Sequence, residues 1–148
     1  KFSKVRPVKS ISRGTAKSAG IDFFIPDDFK ETTLESFQDI LIPSGIKMLL
    51  PKNYCLLLCN KSGVATKLKL ICGAELIDED YHGEIHIHLI NFSKNSVTLK
   101  PGMKIIQGIL IPTQYFAIEE VGSVQELFFG IHSERGENGF GSTERGDK

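Results

Sequence analysis

Short apolar runs, separated by turn-forming residues at close spacing, constrain the fold of this chain most. The runs span residues 40–42, 46–50, 55–58, 68–71, 85–90, 97–99 and 105–111. Breakers such as Pro43-Ser44-Gly45 and Pro101-Gly102 lie between them. Each run has the length of a strand, and a series of short strands with such turns is typical of an all-β sandwich or barrel. We therefore predict an all-β domain.

Residues 84–90 show the clearest strand pattern, because apolar and polar side chains alternate with a period of two. The apolar face carries Ile85, Ile87 and Leu89, and the opposite face carries Glu84, His86 and His88. A single helix is predicted, over the polar stretch 32–39. Composition changes once, near Ser133, which predicts a domain over residues 1–132 and a mobile C-terminal arm over residues 133–148.

The charge balance excludes some partners. Lys and Arg together number 18, as do Asp and Glu, so the formal net charge is zero. Nucleic acids and anionic membranes require clustered positive charge, so neither is expected as a partner, whereas a small anion needs only a few cations. A net charge of zero also permits a homo-oligomer.

The three cysteines, Cys55, Cys59 and Cys72, lie among apolar residues and have neither a CxxC pair nor zinc-site spacing. We interpret them as buried reduced thiols, which indicates a reducing compartment. No apolar segment resembles a signal peptide or is long enough for a membrane span. These features predict a soluble intracellular protein, in the cytoplasm or nucleus.

The glycine-rich stretch 133–146 is too polar to form a core. It carries Arg135 for a phosphate, Phe140 as a flat surface for a ring, and the hydroxyl groups of Ser142 and Thr143. Glycines beside Phe140 let backbone amides approach an anion. Two interpretations are open: an arm that becomes ordered over a nucleoside polyphosphate, or a disordered polar terminus.

An acidic cluster lies within residues 73–83, where the carboxylates are Glu75, Asp78, Glu79 and Asp80. Like charges so close together disfavour ionisation, so the cluster could supply a general base. The alternative is a solvated hairpin turn. Tyr81 favours the first interpretation, because an aromatic ring beside the acids offers a face for a sugar.

Three further groups of polar residues invite a functional interpretation. Lys61-Ser62-Gly63 offers a cation, a hydroxyl and an amide to a phosphate, although an ordinary turn would have the same composition. Asp22 and Gln107 lie in apolar surroundings, and such polar groups make specific hydrogen bonds. The nearby imidazoles belong to His82, His86 and His88. They could suggest a metal, but a polar strand surface explains them better.

Five segments, in this order, resemble the five motifs of the trimeric deoxyuridine triphosphatase (dUTPase) family. They are residues 19–22, 61–65, 73–83, 102–110 and 135–143. The resemblance implies a jelly-roll-like β fold, a homotrimer with active sites between subunits, and Mg2+-dependent hydrolysis of dUTP to dUMP and pyrophosphate. Such an activity keeps uracil out of DNA and supplies dUMP for thymidylate synthesis.

The resemblance also implies roles for individual residues around the nucleoside. Asp78 would orient and deprotonate the water that attacks the α-phosphorus. Tyr81 would pack under the deoxyribose, where a 2′-hydroxyl finds no room. The backbone that reads the uracil edge would be that of Gly73, Ala74, Leu76 and Ile77.

Other residues would hold the triphosphate. Contacts near the subunit interface would come from Lys61, Ser62, Gly63 and Gln107, with Asp22 as structural support. In the arm, Arg135 would bind the terminal phosphate and Phe140 would stack on uracil. The closing donors would be Gly141, Ser142 and Thr143. Mg2+ would be held mainly through the phosphates, with no protein ligand expected.

The chain departs from the family pattern at several positions. Lys61 replaces a usual arginine, so a bidentate contact becomes a point-charge contact. Glu75 replaces a glycine, and a carboxylate there would crowd the uracil slot or disfavour ionisation of Asp78. Asn138 also replaces a glycine, but asparagine tolerates positive φ, so little effect is expected. Ile21 stands where tyrosine or leucine is common, and we expect this replacement to have no effect.

Two alternatives to the dUTPase activity remain open. Deoxycytidine triphosphate deaminases share the fold but use a glutamate on the strand after the third motif. Here that strand, residues 84–90, has its only glutamate at its start, Glu84, and carries His86 and His88 in its interior. A non-catalytic, nucleotide-responsive binding module would require a surface insertion. The best candidate for one is the segment 27–39, with Phe29, Leu34 and Phe37 exposed, although these side chains would more simply pack onto the domain. The enzyme is favoured because Asp78 and Tyr81 are both present.

Overall fold

The structure is a computed structural model that describes residues 1–138. Twelve strands and two short helical segments form it. The strands are β1 Phe2–Lys4, β2 Ser12–Arg13, β3 Ile21–Phe24, β4 Thr32–Leu34, β5 Asp39–Pro43, β6 Ile46–Met48, β7 Tyr54–Asn60, β8 Leu70–Cys72, β9 Leu76–Ile77, β10 His86–Asn91, β11 Val97–Leu99 and β12 Lys104–Pro112. A π-helical turn spans Val64–Leu68, and helix α1 spans Val124–Leu127. The predicted all-β class is confirmed.

Two compact units divide the chain, Lys1–Tyr115 and Phe116–Lys148. The first contains every strand. Its largest sheet has the order β2-β3-β12-β7-β9, and a second sheet has the order β5-β10-β8. All pairs are antiparallel, and many neighbours are distant in sequence, as in a jelly roll. The pairs β1-β6 and β4-β11 complete the first unit.

The core is built from the alternating strands. In β10 and the residue before it, Ile85, Ile87 and Leu89 are buried, while His86 and His88 are half-buried, as the sequence pattern predicts. Other fully buried side chains from several strands are Phe23, Ile42, Ile46, Leu56, Leu58, Leu70, Leu99, Ile105 and Ile106. Burying aliphatic and aromatic side chains of this size contributes about 1.5–3 kcal/mol each, which makes this core the main source of stability.

The helix predicted over residues 32–39 is wrong. Thr32–Leu34 forms β4 and pairs with β11, so that Thr33 lies opposite Thr98. Threonine is β-branched and suits a pleated strand. The buried Asn91 side chain then donates to the carbonyl groups of Leu34 (3.0 Å) and Glu35 (3.1 Å), which a helix would require for itself. Phe37 has a left-handed backbone (φ 61°) that no helix allows.

Side chains in the segment 27–39 divide between core and surface. Leu34 is buried, and Phe29 packs against the core. Phe37 is 67% exposed and contacts Phe92 edge-on, with 5.9 Å between ring centroids. The three cysteines are free thiols, but only Cys72 is buried, so the prediction of burial holds for one of the three.

An ion pair fastens the N-terminal segment to the loop before β10. The Arg6 guanidinium donates to both carboxylate oxygens of Glu84, at 2.8 and 2.9 Å, and the amide of Gly45 donates to the same carboxylate at 2.7 Å. The hydrogen bonds from Arg6 hold the pKa of Glu84 below its usual value, although partial burial acts in the opposite direction.

We predict that Glu84→Gln lowers the free energy of unfolding at pH 7 by about 1–2 kcal/mol, because Arg6 loses the closer of its two charged partners and keeps only Asp28, at 3.4 Å. The folded pKa of Glu84 lies below the unfolded one. Its contribution is therefore complete above the unfolded pKa and is lost as pH falls through the folded pKa. Urea unfolding at pH 7 and pH 3 should show the difference between variant and wild type shrinking in acid.

The exposed pair of Lys100 and Glu31, 3.4 Å apart, supplies the control. Glu31→Gln should change the free energy of unfolding by no more than about 0.5 kcal/mol at either pH. A Glu84→Gln effect of that same size at pH 7 would contradict the stabilising role of the Arg6 pair.

Candidate functional site

The segment after β8 places the acidic cluster at one end of β7. Strand β9 pairs with β7, so that Ile77 lies opposite Leu56. The amide of Leu58 donates to the carbonyl of Glu75 at 2.7 Å, which holds the residue before β9 to the same strand. Asp78 follows β9 directly, and a turn closes when the amide of Tyr81 donates to the Asp78 carbonyl at 3.2 Å.

A pocket of about 190 Å3 lies beside this turn. It is lined by Leu41, Ala74, Leu76, Ile77, Asp78, Tyr81 and His86. The structure therefore brings together five of the predicted nucleoside residues. The walls are mostly apolar, with a carboxylate, a phenol and an imidazole as polar groups, which is the usual character of a small-molecule site.

The Tyr81 ring is fixed in place although it is partly exposed. Its hydroxyl group donates to the carbonyl of Glu84 at 2.9 Å. A Cβ added to Gly83 would lie 2.3 Å from the Tyr81 hydroxyl oxygen, so the ring position requires glycine there. The Glu84 carbonyl also lies 2.8 Å from His86 Nδ1, and therefore holds two side chains of the pocket wall.

Gly73 lies against His88. Its amide donates to the His88 carbonyl at 3.1 Å, and a Cβ at Gly73 would lie 2.1 Å from His88 Nδ1. The imidazole is held from its other side, since Nε2 lies 3.0 Å from a carboxylate oxygen of Asp39. A side chain at position 73 would collide with the His88 ring, so this position requires glycine.

Glu75 is exposed and is not among the residues lining the pocket in the described part of the chain. Ala74 and Leu76, on either side of it, do line the pocket. The Glu75 carboxylate acts instead on two thiols: burial, with a smaller contribution from this charge, raises the pKa of Cys72 to about 12 and also raises the pKa of Cys59. The crowding expected from Glu75 is therefore not found within a single chain.

A second polar cluster surrounds Asp22, whose carboxylate is buried. Lys61 Nζ lies 2.9 Å from one oxygen and Lys104 Nζ lies 2.8 Å from the other. Burial alone would raise the pKa of Asp22, but the hydrogen bonds from Lys104 and Lys61 outweigh it and hold the pKa below its usual value. Asp22 therefore stays charged and fixes the direction of both lysines.

Gln107 and the loop after β7 join this cluster. Gln107 pairs with Asp22 across β12 and β3, and its amide nitrogen donates to the Asn60 carbonyl at 3.0 Å. Ser62 and Gly63 are exposed at the start of the π-helical turn. The structure therefore brings Gln107 close to the segment that begins at Lys61 and continues through Ser62 and Gly63, while their role as phosphate contacts stays a prediction.

Strand β7 separates the two clusters. Leu56, near its beginning, lies opposite the residue before Asp78, whereas Lys61 follows its last residue. At about 3.3 Å per residue, the five steps from Leu56 to Lys61 span ~16 Å. Asp78 and Lys61 of one chain therefore lie near opposite ends of β7.

Within the second unit, Arg135 is exposed and its Nε donates to the Asn138 carbonyl at 2.7 Å. Gly136 has a left-handed backbone (φ 53°). The other predicted arm residues lie outside the described part of the chain: Phe140, Gly141, Ser142 and Thr143.

The three neighbouring histidines point to different partners. His86 contacts the Glu84 carbonyl, His88 contacts Asp39, and His82 lines a separate pocket near β1 and β6. Within residues 1–138, no three His, Cys, Asp or Glu side chains are arranged to hold a metal ion. No helix among the same residues has the length and apolarity of a membrane span.

The sequence does not predict the positions of two residues in these clusters, Lys104 and Leu41. Lys104 precedes the apolar run 105–111 and looks like an ordinary exposed lysine, yet it shares Asp22 with Lys61. Leu41 belongs to an apolar run predicted only as a strand, yet it is 57% exposed and lines the pocket. Both positions depend on strand pairing between distant segments, for which the sequence carries no local signal.

The antiparallel sheets pair strands that are distant in sequence, which makes this a jelly-roll domain. The pocket that contains Asp78, beside the end of a strand, has the character of a small-molecule site. The model of the dUTPase family matches residues 6–144. The chain is 39% identical over 127 residues to a deoxyuridine 5′-triphosphate nucleotidohydrolase of Clostridium novyi, covering 84% of this chain and 83% of that protein. The chain belongs to the dUTPase family.

Solved structures agree on the fold. A mutant dUTPase of Staphylococcus bacteriophage 80alpha, solved with dUpNHpp, superposes with a TM-score of 0.83 at 23% identity, covering 97% of this chain and 96% of that one. A mutant dUTPase of phage phi11 of S. aureus, described with a coordinated structural Mg(II) ion, superposes with a TM-score of 0.75 at 20% identity, covering 84% of this chain and 97% of that one. The jelly-roll fold is therefore confirmed.

We predict that Gly73→Ala destabilises the chain by about 1–3 kcal/mol, because the new methyl group must displace the His88 ring from Asp39. His88→Ala removes the obstacle. A double-mutant cycle measured by urea unfolding should therefore give a favourable coupling between the two changes. Additive effects would show that the contact between Gly73 and His88 is not the cause.

Proposed function

We propose that this chain hydrolyses dUTP to dUMP and pyrophosphate by attack of water on the α-phosphorus. The observation that supports this most directly is the placement of Asp78 and Tyr81 in one mostly apolar pocket. The activity named for the Clostridium novyi relative supports the same reaction. Acting inside the cell, it would limit uracil in DNA and supply dUMP for thymidylate synthesis.

Recognition of the nucleoside would use the backbone along residues 73–77 and the Tyr81 ring. Backbone donors and acceptors in a narrow slot discriminate between uracil and cytosine, because the wrong exocyclic group leaves buried polar atoms unpaired. The bond from the Tyr81 hydroxyl to the Glu84 carbonyl keeps the ring from moving away from the sugar. A fixed ring can exclude a ribose 2′-hydroxyl, whereas a mobile one would yield to it.

Asp78 would act as the general base. Its carboxylate faces the pocket from the end of β9, and the bond between Tyr81 and its carbonyl group fixes the backbone there. It would orient a water molecule for in-line attack and accept its proton as the bond to phosphorus forms. A correctly placed base contributes typically 10²–10⁴-fold to a rate.

The phosphates would bind the cluster around Lys61, Ser62, Gly63 and Gln107. The ~16 Å along β7 places this cluster away from Asp78 of the same chain. A complete site would therefore combine the nucleoside pocket of one chain with the phosphate cluster of another. A homotrimer, the assembly that we propose, forms three such sites by cyclic symmetry.

The arm 133–148 would close over the bound nucleotide. Arg135 would contact the terminal phosphate and Phe140 would stack on uracil. The remaining donors would be Gly141, Ser142 and Thr143. Closure by such an arm excludes water other than the attacking one and gates the release of product.

Mg2+ fits the donor chemistry of this end of the pocket. Carboxylates of the turn and the phenol of Tyr115 line an adjoining acidic space, and oxygen is the ligand that Mg2+ prefers. The ion would be held mainly through substrate phosphates and would neutralise their charge. Glu79 is already engaged by the Asn53 amide (2.7 Å) and the Tyr115 hydroxyl (3.0 Å), and so orders the turn that carries Asp78.

Neither alternative function is favoured by the site. Deamination would need a glutamate on β10 beside the pocket, where the polar face carries His86 and His88. A binding module would use an exposed surface, and in the segment 27–39 the best candidate is Phe37, which contacts Phe92 edge-on. An exposed aromatic pair does not exclude catalysis, so the enzyme remains the proposal.

Pyrophosphate release should be fast with dUTP and Mg2+, and at least about 10²-fold slower with dCTP, dTTP or UTP. Asp78→Asn should lower kcat with dUTP by ~10²–10⁴-fold while the affinity for dUpNHpp changes little. Asp27→Asn, at an exposed aspartate outside the pocket, is the matched control. Hydrolysis by Asp78→Asn at the rate of this control would refute Asp78 as the base.

Mixing two inactive variants tests the shared site. Asp78→Asn and Lys61→Ala, each assembled alone, should hydrolyse dUTP poorly. Oligomers formed by refolding an equal mixture should recover about a quarter of the wild-type activity, because a quarter of the interfaces combine two intact half-sites. Absence of any recovery, with mixed oligomers verified by mass spectrometry, would place both residues in a site formed by one chain.

A further inference from the structure

His86 is a polar group of the nucleoside pocket to which no role has yet been assigned. It is half-buried and lines the pocket together with Asp78 and Tyr81. It is also the one group among the residues lining this pocket, within the described chain, that can carry a positive charge. The nucleotide that the pocket would receive is a polyanion, so the charge on this ring bears directly on binding.

The tautomer of the ring follows from its contact. Nδ1 lies 2.8 Å from the Glu84 carbonyl oxygen, which can only accept, so Nδ1 carries a proton. Nε2 is then the ring nitrogen that gains or loses a proton. The Nδ1 bond is compatible with both charge states, so a change in protonation leaves the ring in place.

The support of the ring is rigid. The Glu84 carbonyl accepts from Tyr81 as well as from His86, and the Glu84 carboxylate is held by Arg6 and by the Gly45 amide. A ring mounted in this way loses little further conformational freedom when a ligand binds, and a preorganised cation is more effective than a mobile one.

We propose, on the basis of the function proposed above, that His86 is a nucleotide-binding residue whose protonation strengthens binding of the triphosphate. The positive ring would offset the charge of Asp78 in the pocket and attract the phosphates. Histidine is the side chain whose charge changes between pH 5 and 8, so the affinity would rise as pH falls through this range. The attraction between single opposite charges about 4 Å apart in water corresponds to about three- to tenfold in affinity.

Few other charged groups face the ring. Asp78 and Tyr81 share its pocket, and the Glu84 carboxylate, paired with Arg6, lies on the neighbouring loop. His88, paired with Asp39, lies two residues further along the same strand face. Strand β5, which pairs with β10, presents no titratable side chain beside His86, because its nearest residues are Leu41 and Pro43. The other strand partner, β8, pairs only further along β10.

The test compares the affinity for dUpNHpp at pH 6.0 and pH 8.0 by calorimetry, with Mg2+ present, for wild type and His86→Asn. Asparagine can keep the donor to the Glu84 carbonyl but cannot become charged. His88→Asn is the matched control, because His88 lies on the same strand face, is half-buried, and does not line the pocket. Ionisation of the ligand itself is common to all three proteins and cancels.

Wild type and His88→Asn should bind about three- to tenfold more tightly at pH 6.0 than His86→Asn does, with the three affinities converging at pH 8.0. The proposal would be overturned if the affinity of His86→Asn depended on pH as that of wild type does. It would also be overturned if both His86→Asn and His88→Asn lost the pH dependence of the wild type. Thermal unfolding of each variant shows whether it is folded. His86→Gln, a second uncharged variant, should bind dUpNHpp as His86→Asn does.

The result can be separated from failure of the proposed function. A wild-type chain that neither binds dUpNHpp nor hydrolyses dUTP would refute both. A wild-type chain that hydrolyses dUTP, but whose affinity for dUpNHpp does not depend on His86 at either pH, would refute this inference alone.

Discussion

Hydrogen-bonded pairing of β7 with β12 on one side and β9 on the other is the interaction on which the rest of the structure depends. The β12 pairing runs the whole length of β7, from Tyr54 to Asn60, and fixes the central sheet. The β9 pairing covers only two residues, yet it positions the turn that carries Asp78. A shift of one residue in either register would move the apolar side chains of β7 from the core to the surface.

The sequence predicts the parts of the site that consist of consecutive residues. Asp78 and Tyr81 fall in one short turn, and Lys61, Ser62 and Gly63 in another, so local composition identifies both. The strands were predictable for a similar reason, since an alternating pattern such as that of β10 is visible in a short window. Composition identifies Phe140, Ser142 and Thr143 as groups suited to a ring and a phosphate, but their particular roles come from the resemblance.

Contacts between distant segments could not be predicted in this way. Lys104 acquires its place beside Asp22 only when β12 pairs with β3, and Leu41 reaches the pocket only when β5 pairs with β10. The stretch 32–39 was misassigned because its polar composition resembles a surface helix. Its strand is stabilised instead by Asn91, which is more than fifty residues away.

Glu84 has consequences that extend beyond folding. Its side chain belongs to a partly buried ion pair with Arg6, while its carbonyl group holds Tyr81 and His86, which line the pocket. Selection for heat resistance at Arg6 would therefore also act on the alignment of Tyr81, and selection for a different sugar at Tyr81 would act on the anchoring of the N-terminal segment. With Tyr81 in the role proposed for it beside the sugar, stability and substrate preference would not be independent traits and would evolve together.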